Sequence, residues 1–462
     1  MPVRRGGRSI ALDSPQHSLF LQMSPVDSRP PGCYNRVEYP EDIVNYLIAR
    51  PEDEYLENVD TVFLFGAGTS AHMKLSASAG SPCVPLDTTF FQVVKEGVLE
   101  KWCNNEILGI AKLARDRVLG ALRDAGVTEQ DLFTQPGTEC PRMRLEELFC
   151  RLEMLRMLGR SVTMRTDGQW NEWKEAWKHP SDALRDLIAI VMAHGRPTDR
   201  SGYADFAQRV VTDHGEKPTN TYAVLTLNYE IGLECAIKVL YDNNHSTFMG
   251  VRKFIQERDI HPDLGTGLMF HYALPHRPPP PTLEAVPILK LHGSCNWGFC
   301  PECMNASHLN LEVLKHGCKI GDLAGRPDKR KVCRWHTADW RLCPNYVPHI
   351  VPPTWNKWMG DPTTRHIWRQ GYAILNRCRK LFLVGTSLPE TDVHLGHLIR
   401  MAFGKRNRDP EVYVVNPVCE NERQRYVQRV EVVLGMTVPE ENCLWESFEK
   451  KETLDWMFGR VH

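Results

Sequence analysis

The chain has 462 residues, in which 56 Lys and Arg offset 57 Asp and Glu to leave a formal net charge of −1. This balance excludes binding of nucleic acid or an anionic membrane through overall charge, and leaves only a local basic patch for such partners. No apolar run is long enough for a membrane span or for the core of a signal peptide. We therefore expect a cytoplasmic protein with no membrane partner and no evident nucleic-acid partner.

Cysteine usage indicates a reducing compartment. Of the 15 cysteines, those up to residue 235 are scattered singly, whereas the block 300–343 is dense. This pattern favours one metal-binding module over a disulfide framework. The length allows either two or three average domains or a single α/β core with insertions.

The amino-terminal region contains an arm, a helix and a strand. Residues 1–36 are rich in Pro, Ser, Gly and Arg without apolar periodicity, which predicts a flexible arm ahead of a main domain at 37–462. The acidic turn Pro40-Glu41-Asp42 predicts a helix start within 39–56. The apolar run Thr61–Phe65 then predicts a buried strand.

A glycine turn follows this strand. Gly66-Ala67-Gly68-Thr69-Ser70-Ala71 fits the dinucleotide pattern G-x-G-x-x-G/A, and Asp87 stands where the pattern places its acid. In a standard Rossmann unit that acid ends a second strand, whereas 76–87 has no strand-length apolar run. Two interpretations remain: backbone N–H groups of the turn face a phosphate, or the turn only joins a strand to a helix.

The segment 88–221 is mostly helical in pattern. Glu106–Ala125 and Arg142–Leu158 have apolar residues spaced three and four apart, with charged residues between them. This spacing predicts amphipathic helices. We expect the segment to form a helical insertion beside the sheet.

Four later apolar runs predict further strands, each followed by a small or polar residue. They are Tyr222–Leu227 before Asn228, 288–291 before His292, Leu381–Val384 before Gly385, and Val412–Val415 before Asn416. We predict an α/β fold, a Rossmann-type parallel sheet with helices on both faces, in which ligands bind at the carboxyl ends of the strands. Asn228 and His292 also have structural interpretations, as a helix cap and as a buried hydrogen-bonded side chain.

Five short motifs occur in a fixed order along the chain. They are Gly66-Ala67-Gly68-Thr69-Ser70, Thr226-Leu227-Asn228-Tyr229-Glu230, Lys290-Leu291-His292-Gly293-Ser294, Gly385-Thr386-Ser387-Leu388 and Val415-Asn416-Pro417. In this order they resemble the sirtuin-like family (silent information regulator type). Two more segments, Pro352-Pro353-Thr354-Trp355 and Pro389-Glu390-Thr391-Asp392, resemble the bacterial branch whose members consume NAD, often in antiviral defence.

The resemblance implies that NAD is bound as a substrate. The implied cofactor-binding residues are Gly66, Ala67, Gly68, Thr69 and Ser70 at the pyrophosphate, and Gly385, Thr386, Ser387 and Asn416 at the adenosine half. Asn228 and His292 are the implied catalytic residues at the nicotinamide ribose, where Asn228 also binds the cofactor. Nicotinamide is already a cationic leaving group, so cleavage needs a stabilised oxocarbenium-like ribose and a held nucleophile. An amide can orient water or a ribose hydroxyl, and a histidine can take the proton.

The chain departs from deacylating sirtuins in two segments. The acidic-aromatic-arginine loop is replaced by 85–91, and the peptide-pairing segment by 350–355, where Pro352 and Pro353 lack backbone donors. Glu230 also replaces the family's usual aspartate. We expect an NAD glycohydrolase, with an NAD-dependent protein deacylase and a non-catalytic NAD or ADP-ribose sensor as alternatives. We expect control by homo-oligomer formation or by a separate activating protein.

The dense cysteine block predicts a zinc-binding module at 295–346. Cys300-x-x-Cys303 forms half a site, because two thiolates at this spacing bind one ion from a single turn. The resemblance makes Cys343 the last ligand, since it precedes 347–351 as the family's last ligand precedes its return strand. Cys333 is the predicted third ligand, with His336 and Cys318 as alternatives, and unligated thiols are the remaining alternative.

Overall fold

The computed structural model describes segments of the chain from residue 59 onward. The described residues are 59–73, 83–85, 89–95, 105–132, 143–158, 179–193, 202–216, 221–234, 236, 286–299, 306–308, 347–352, 362–388, 392–404, 406 and 409–461. The predicted arm at 1–36 and the predicted helix start within 39–56 lie outside these residues.

Strands form two sheets, a larger parallel one and a smaller antiparallel one. The strands are β1 (Thr61–Phe65), β2 (Tyr222–Thr226), β3 (Ile288–Lys290), β4 (Gly293–Phe299), β5 (Ala306–His308), β6 (Val347–Ile350), β7 (Lys380–Val384), β8 (Glu411–Val415) and β9 (Cys443–Leu444). The large sheet has the order β3-β2-β1-β7-β8-β9, and its neighbouring strands are parallel. The small sheet has the order β5-β4-β6.

Helices precede and follow most strands of the large sheet. They are α1 (Phe90–Lys95), α2 (Asn105–Asp124), α3 (Glu129–Leu132), α4 (Leu145–Met157), α5 (Pro180–Ala193), α6 (Gly202–Glu216), α7 (Pro362–Leu375), α8 (Val393–Phe403), α9 (Glu420–Leu434) and α10 (Lys451–Gly459). The first six fall between β1 and β2, in the segment where the sequence predicts helices. Of the helices in the described part of the chain, none is both long and apolar enough to cross a membrane.

Alternating side chains give the large sheet two buried faces. In β1, Phe63 and Phe65 belong to one hydrophobic cluster, whereas Val62 and Leu64 belong to another. The first cluster includes residues of α2, α5, α6 and α10, and the second includes residues of α7, α8 and α9. Full burial of a side chain such as Leu64 stabilises the fold by about 1.5–3 kcal/mol. Helices therefore cover both faces, as predicted for a Rossmann-type α/β fold.

The direction of the chain across the sheet changes between β1 and β7. From β1 the chain passes to β2 and β3 on one side, whereas β7, β8 and β9 lie on the other. Ligands in open α/β sheets bind outside the carboxyl ends of the strands at such a switch point. Because the strands are parallel, the turns after β1, β2, β3, β7 and β8 all reach this edge.

The predicted strands of the large sheet are confirmed, with small changes at their ends. β2 and β3 end at Thr226 and Lys290, one residue earlier than predicted. Two features were not predicted: β9, which extends the large sheet, and the small antiparallel sheet. Its central strand β4 begins at Gly293, directly after His292, where the sequence predicts only a turn.

Candidate functional site

A cavity of about 230 Å³ lies at the carboxyl edge of the large sheet. Its lining contains every predicted NAD-binding or catalytic residue except Thr69, namely Gly66, Ala67, Gly68, Ser70, Asn228, His292, Gly385, Thr386, Ser387 and Asn416. The remaining lining residues are Val84, Pro85, Leu145, Glu146, Met192, Leu227, Tyr229 and Glu230. The fold thus brings together residues as distant in sequence as Gly66 and Asn416.

The turns after β1 and β7 pack against each other, backbone to backbone. The Gly66 N–H donates to Val384 O (2.9 Å), and the Gly68 N–H donates to Gly385 O (2.8 Å). A Cβ atom on Gly66 would stand 2.5 Å from Thr386 Cα, and Gly385 has a φ of 57°. Both positions therefore require glycine, one for close approach and the other for its left-handed backbone.

Most amides of the first turn are already used within the protein. Besides the two glycine amides, the Thr69 N–H donates to Gly66 O (3.0 Å) and the Ser70 N–H to Ala67 O (3.2 Å). Within residues 66–70, only the Ala67 N–H lacks an acceptor among the described residues. A phosphate at this turn would therefore meet one unused amide rather than a full backbone cradle, because the Ser70 hydroxyl already donates to Ala67 O (3.1 Å).

Thr69 lies beneath the turn instead of lining the cavity. It is fully buried, and its Oγ1 donates to Gly66 O (2.7 Å) and lies 2.7 Å from Tyr203 Oη. Its predicted role in holding the cofactor is therefore indirect in this geometry: it supports the turn from below.

Asn228 joins the turn after β2 to the glycine turn. Its Nδ2 donates to Gly66 O (3.0 Å) and lies within hydrogen-bond distance of Thr69 Oγ1 (2.9 Å) and Tyr203 Oη (3.0 Å). Because a carbonyl can only accept, the contact with Gly66 O fixes the orientation of the amide. Its Oδ1 is buried and has no hydrogen-bond partner among the described residues. Because Asn228 also lines the cavity, this unpaired acceptor lies beside it.

The interpretation of Asn228 as a helix cap is wrong. The Gly232 N–H at the start of the following helical turn donates to a carboxylate oxygen of Glu230. Asn228 Oδ1, the side-chain atom that would accept from a helix N–H, has no hydrogen-bond partner among the described residues. The capping role belongs to Glu230.

His292 is buried and paired with a carboxylate. Its Nε2 lies 2.7 Å from Asp392 Oδ2, and the two side chains are 5% and 0% exposed. The other oxygen of Asp392 accepts from the Leu395 N–H (3.1 Å), which makes Asp392 the N-cap of α8. Two hydrogen bonds to backbone carbonyls hold the turn: the Val351 N–H donates to His292 O (2.8 Å), and the Trp368 side chain donates from Nε1 to Leu291 O (2.8 Å).

A buried polar network lies under Asn228. The Tyr203 hydroxyl donates to Glu230 Oε1 (3.0 Å), and the Lys290 ammonium pairs with Glu234 Oε1 (2.9 Å). Burial raises the pKa of the Glu230 carboxyl above its ordinary value, and the Lys290 charge only partly opposes this. Burial disfavours the Lys290 ammonium, but the Glu234 and Glu230 carboxylates outweigh this effect and raise the pKa of Lys290. The network places fixed charges directly behind the cavity.

Tyr203 comes from α6, a helix for which no sequence motif indicates a functional role. Phe206 on the same helix meets the ring of Phe63 edge-on, with 4.9 Å between ring centroids, which holds α6 against the sheet. Burial and the nearby Glu230 charge raise the pKa of Tyr203 well above its ordinary value, so the hydroxyl keeps its proton. Tyr203 thus acts as a neutral bridge between Asn228 and Glu230.

A second set of hydrogen bonds holds the turn after β7, on the predicted adenosine side of the site. Thr386 O accepts from Asn416 Nδ2 (3.1 Å) and from the Tyr426 hydroxyl (2.7 Å). Asn416 therefore fixes the turn after β7 as well as lining the cavity. Tyr426, which the sequence does not single out, ties the same turn to α9.

Helices from the segment between β1 and β2 supply another wall. Leu145 and Glu146 at the start of α4 and Met192 near the end of α5 line the same cavity as Asn228 and His292. Glu146 is only 8% exposed and lies in the first turn of its helix, where the helix dipole stabilises a carboxylate. No motif pointed to these residues, because their position depends on how the helices pack.

The predicted zinc site cannot be placed. Cys300, Cys303, Cys333 and Cys343, like the alternatives Cys318 and His336, lie outside the described residues. Within the described segments, no group of three or more His, Cys, Asp or Glu side chains could hold a metal ion. The zinc site remains a prediction of the sequence.

No protein-family model matches the chain, and a comparison with curated proteins finds no match. The functional assignment must therefore come from the residues of the cavity.

Proposed function

We propose that the chain is a sirtuin-like NAD glycohydrolase, which cleaves NAD to nicotinamide and ADP-ribose. One observation carries the proposal: glycine turns, Asn228 and His292 meet in one cavity at the switch point of a parallel sheet. This is the part of an α/β sheet where dinucleotides bind. The order of motifs along the sequence gives the same assignment independently.

In the proposed complex, the turn after β1 holds the pyrophosphate and the turn after β7 holds the adenosine half. The unused Ala67 N–H donates to a phosphate oxygen, and the Ser70 hydroxyl does so once it exchanges its bond to Ala67 O (3.1 Å) for one to the phosphate. The free Oδ1 of Asn228 accepts a hydrogen bond from a ribose hydroxyl of the nicotinamide half. That bond orients the ribose for cleavage at its anomeric carbon.

Hydrolysis then breaks the bond between the ribose anomeric carbon and the nicotinamide nitrogen. Nicotinamide leaves with the bonding electron pair as a neutral molecule, and the oxygen of water forms the new bond to carbon. His292 takes the proton that water releases, as a general base near neutral pH. The Glu146 side chain, which lines the cavity and lies in the first turn of α4, favours the positive charge of the oxocarbenium-like transition state.

Water suits this site better than an acyl-lysine peptide. A peptide strand would need backbone donors along the segment that follows β6. The Val351 N–H is already bonded to His292 O, and Pro352 has no N–H. This edge therefore supports the hydrolase over the deacylase.

The test is incubation of the purified protein with NAD, with and without an acetyl-lysine peptide, followed by quantification of nicotinamide and ADP-ribose. We expect nicotinamide release from NAD alone, under the activating condition if one is required. Turnover only in the presence of peptide would establish the deacylase instead. Binding of NAD without turnover in either arm, including after self-assembly or addition of co-purifying proteins, would establish the sensor.

A further inference from the structure

The carboxylate of Asp392 is divided between two tasks. One oxygen, Oδ1, accepts the Leu395 N–H and caps α8, while the other, Oδ2, lies 2.7 Å from Nε2 of His292. Both residues are buried. The pair is therefore shielded from water, and the position of the carboxylate is set by the helix it caps.

This contact determines which nitrogen of His292 carries the proton. An ionised carboxylate can only accept, so the Nε2 that faces it must donate. In the neutral ring the other nitrogen, Nδ1, is then the acceptor. When Nδ1 takes a proton, the ring becomes positively charged, and the adjacent carboxylate stabilises that charge inside a buried site.

We propose that Asp392 is the positioning residue of the reaction. It holds His292 in the tautomer whose Nδ1 can take the proton of water, and it stabilises the imidazolium that results. The role rests on the proposed NAD glycohydrolase function. Asp392 thereby connects the amino-terminal end of α8, which it caps, to the imidazole ring of His292 at the carboxyl edge of the sheet.

Asp392→Asn separates the two tasks. An asparagine side chain caps a helix about as well as aspartate, so Oδ1 keeps its bond to the Leu395 N–H. Its amide nitrogen, however, can only donate to His292 Nε2 and so favours the opposite tautomer. In a serine protease the same change to an aspartate–histidine pair lowers kcat by about 10⁴-fold.

The experiment measures thermal stability, KM for NAD and kcat for nicotinamide release in the parent and four variants. Asp392→Asn and Asp392→Ser both retain a capping oxygen, and Asp392→Ala removes it. Asp131→Asn is the matched control, because Asp131 accepts the Thr128 N–H at the start of α3 and does not line the cavity. We expect both cap-preserving variants to lose about 100-fold or more in kcat with KM within about threefold of the parent. Asp392→Ala should lose stability as well, and the control should match the parent.

Two results overturn the role of Asp392. One is a kcat near the parent value in either cap-preserving variant, and the other is loss of folding in both, which would make Asp392 a purely structural residue. Failure of the proposed function is distinct, because the parent enzyme itself would then release no nicotinamide.

Discussion

Gly66→Ala tests whether the two glycine turns must touch for the site to form. The new methyl group would lie 2.5 Å from Thr386 Cα and 2.7 Å from Gly385 O. Both are backbone atoms, so no side chain can rotate away, and the turns must separate by about 1 Å to reach ordinary contact. Overpacking of this kind costs about 1–3 kcal/mol.

Moving the two turns apart also strains two backbone hydrogen bonds that connect them. They run from the Gly66 N–H to Val384 O and from the Gly68 N–H to Gly385 O. Each contributes about 0.5–1.5 kcal/mol. We therefore expect Gly66→Ala to lower the free energy of unfolding by about 2–6 kcal/mol and to weaken NAD binding.

Urea titration and isothermal titration calorimetry with NAD measure the two effects. Gly120→Ala is the control, because a Cβ at that position in α2 has no neighbour within 4 Å. Alanine in a helix interior is favoured over glycine by up to about 1 kcal/mol, so this variant should be slightly stabilised and bind NAD normally. A Gly66→Ala protein with the parent's stability and NAD affinity would refute the packing that defines the site.

Three further expectations follow from the same contacts. Tyr203→Phe removes the hydroxyl between Asn228 and Glu230 and should lower the free energy of unfolding by about 1–3 kcal/mol. Unchanged stability in urea titration would contradict the buried network. Burial lowers the pKa of His72 and His179, and nearby carboxylates only partly oppose this. The unfolded chain then binds more protons, so stability should fall as pH drops below about 6.5, and should fall less when both histidines are replaced by glutamine. Cys300→Ser should reduce the zinc content and the folding yield, whereas elemental analysis that finds no zinc in the parent protein would remove the predicted metal site.

The strands of the large sheet could be predicted because both of their faces are buried. A strand such as β7, with all residues buried, must be a nearly continuous apolar run, and the small or polar residue after such a strand marks the edge where ligands bind. This logic located Asn228, His292 and Asn416 in one cavity from the sequence alone. The shortest strands gave no such signal, since β5 in the small antiparallel sheet has only three residues and β9 at the edge of the large parallel sheet has only two.

The supporting residues could not be predicted because they come from distant elements. Asp392 carries a recognisable helix-capping signal, but nothing local shows that its second oxygen meets His292, one hundred residues earlier. Tyr203 and Glu146 reach the site only through the packing of α6 and α4. The alternative interpretation of Asn228 as a helix cap is wrong for the same reason: its partner is the turn after β1, far away in the sequence.

Nicotinamide release from NAD by Asn228→Ala and His292→Ala tests the proposed active site most directly. Both side chains are buried and hydrogen bonded, so each variant should lose about 1–3 kcal/mol of stability, and rates must be compared per folded molecule. Asn442→Ala is the control, because it removes a comparable bond, from Asn442 Nδ2 to Val412 O, outside the cavity. We predict a loss of about 100-fold or more in both site variants and the parent rate in the control. Site variants that are destabilised yet cleave NAD at the parent rate would show that Asn228 and His292 only support the fold.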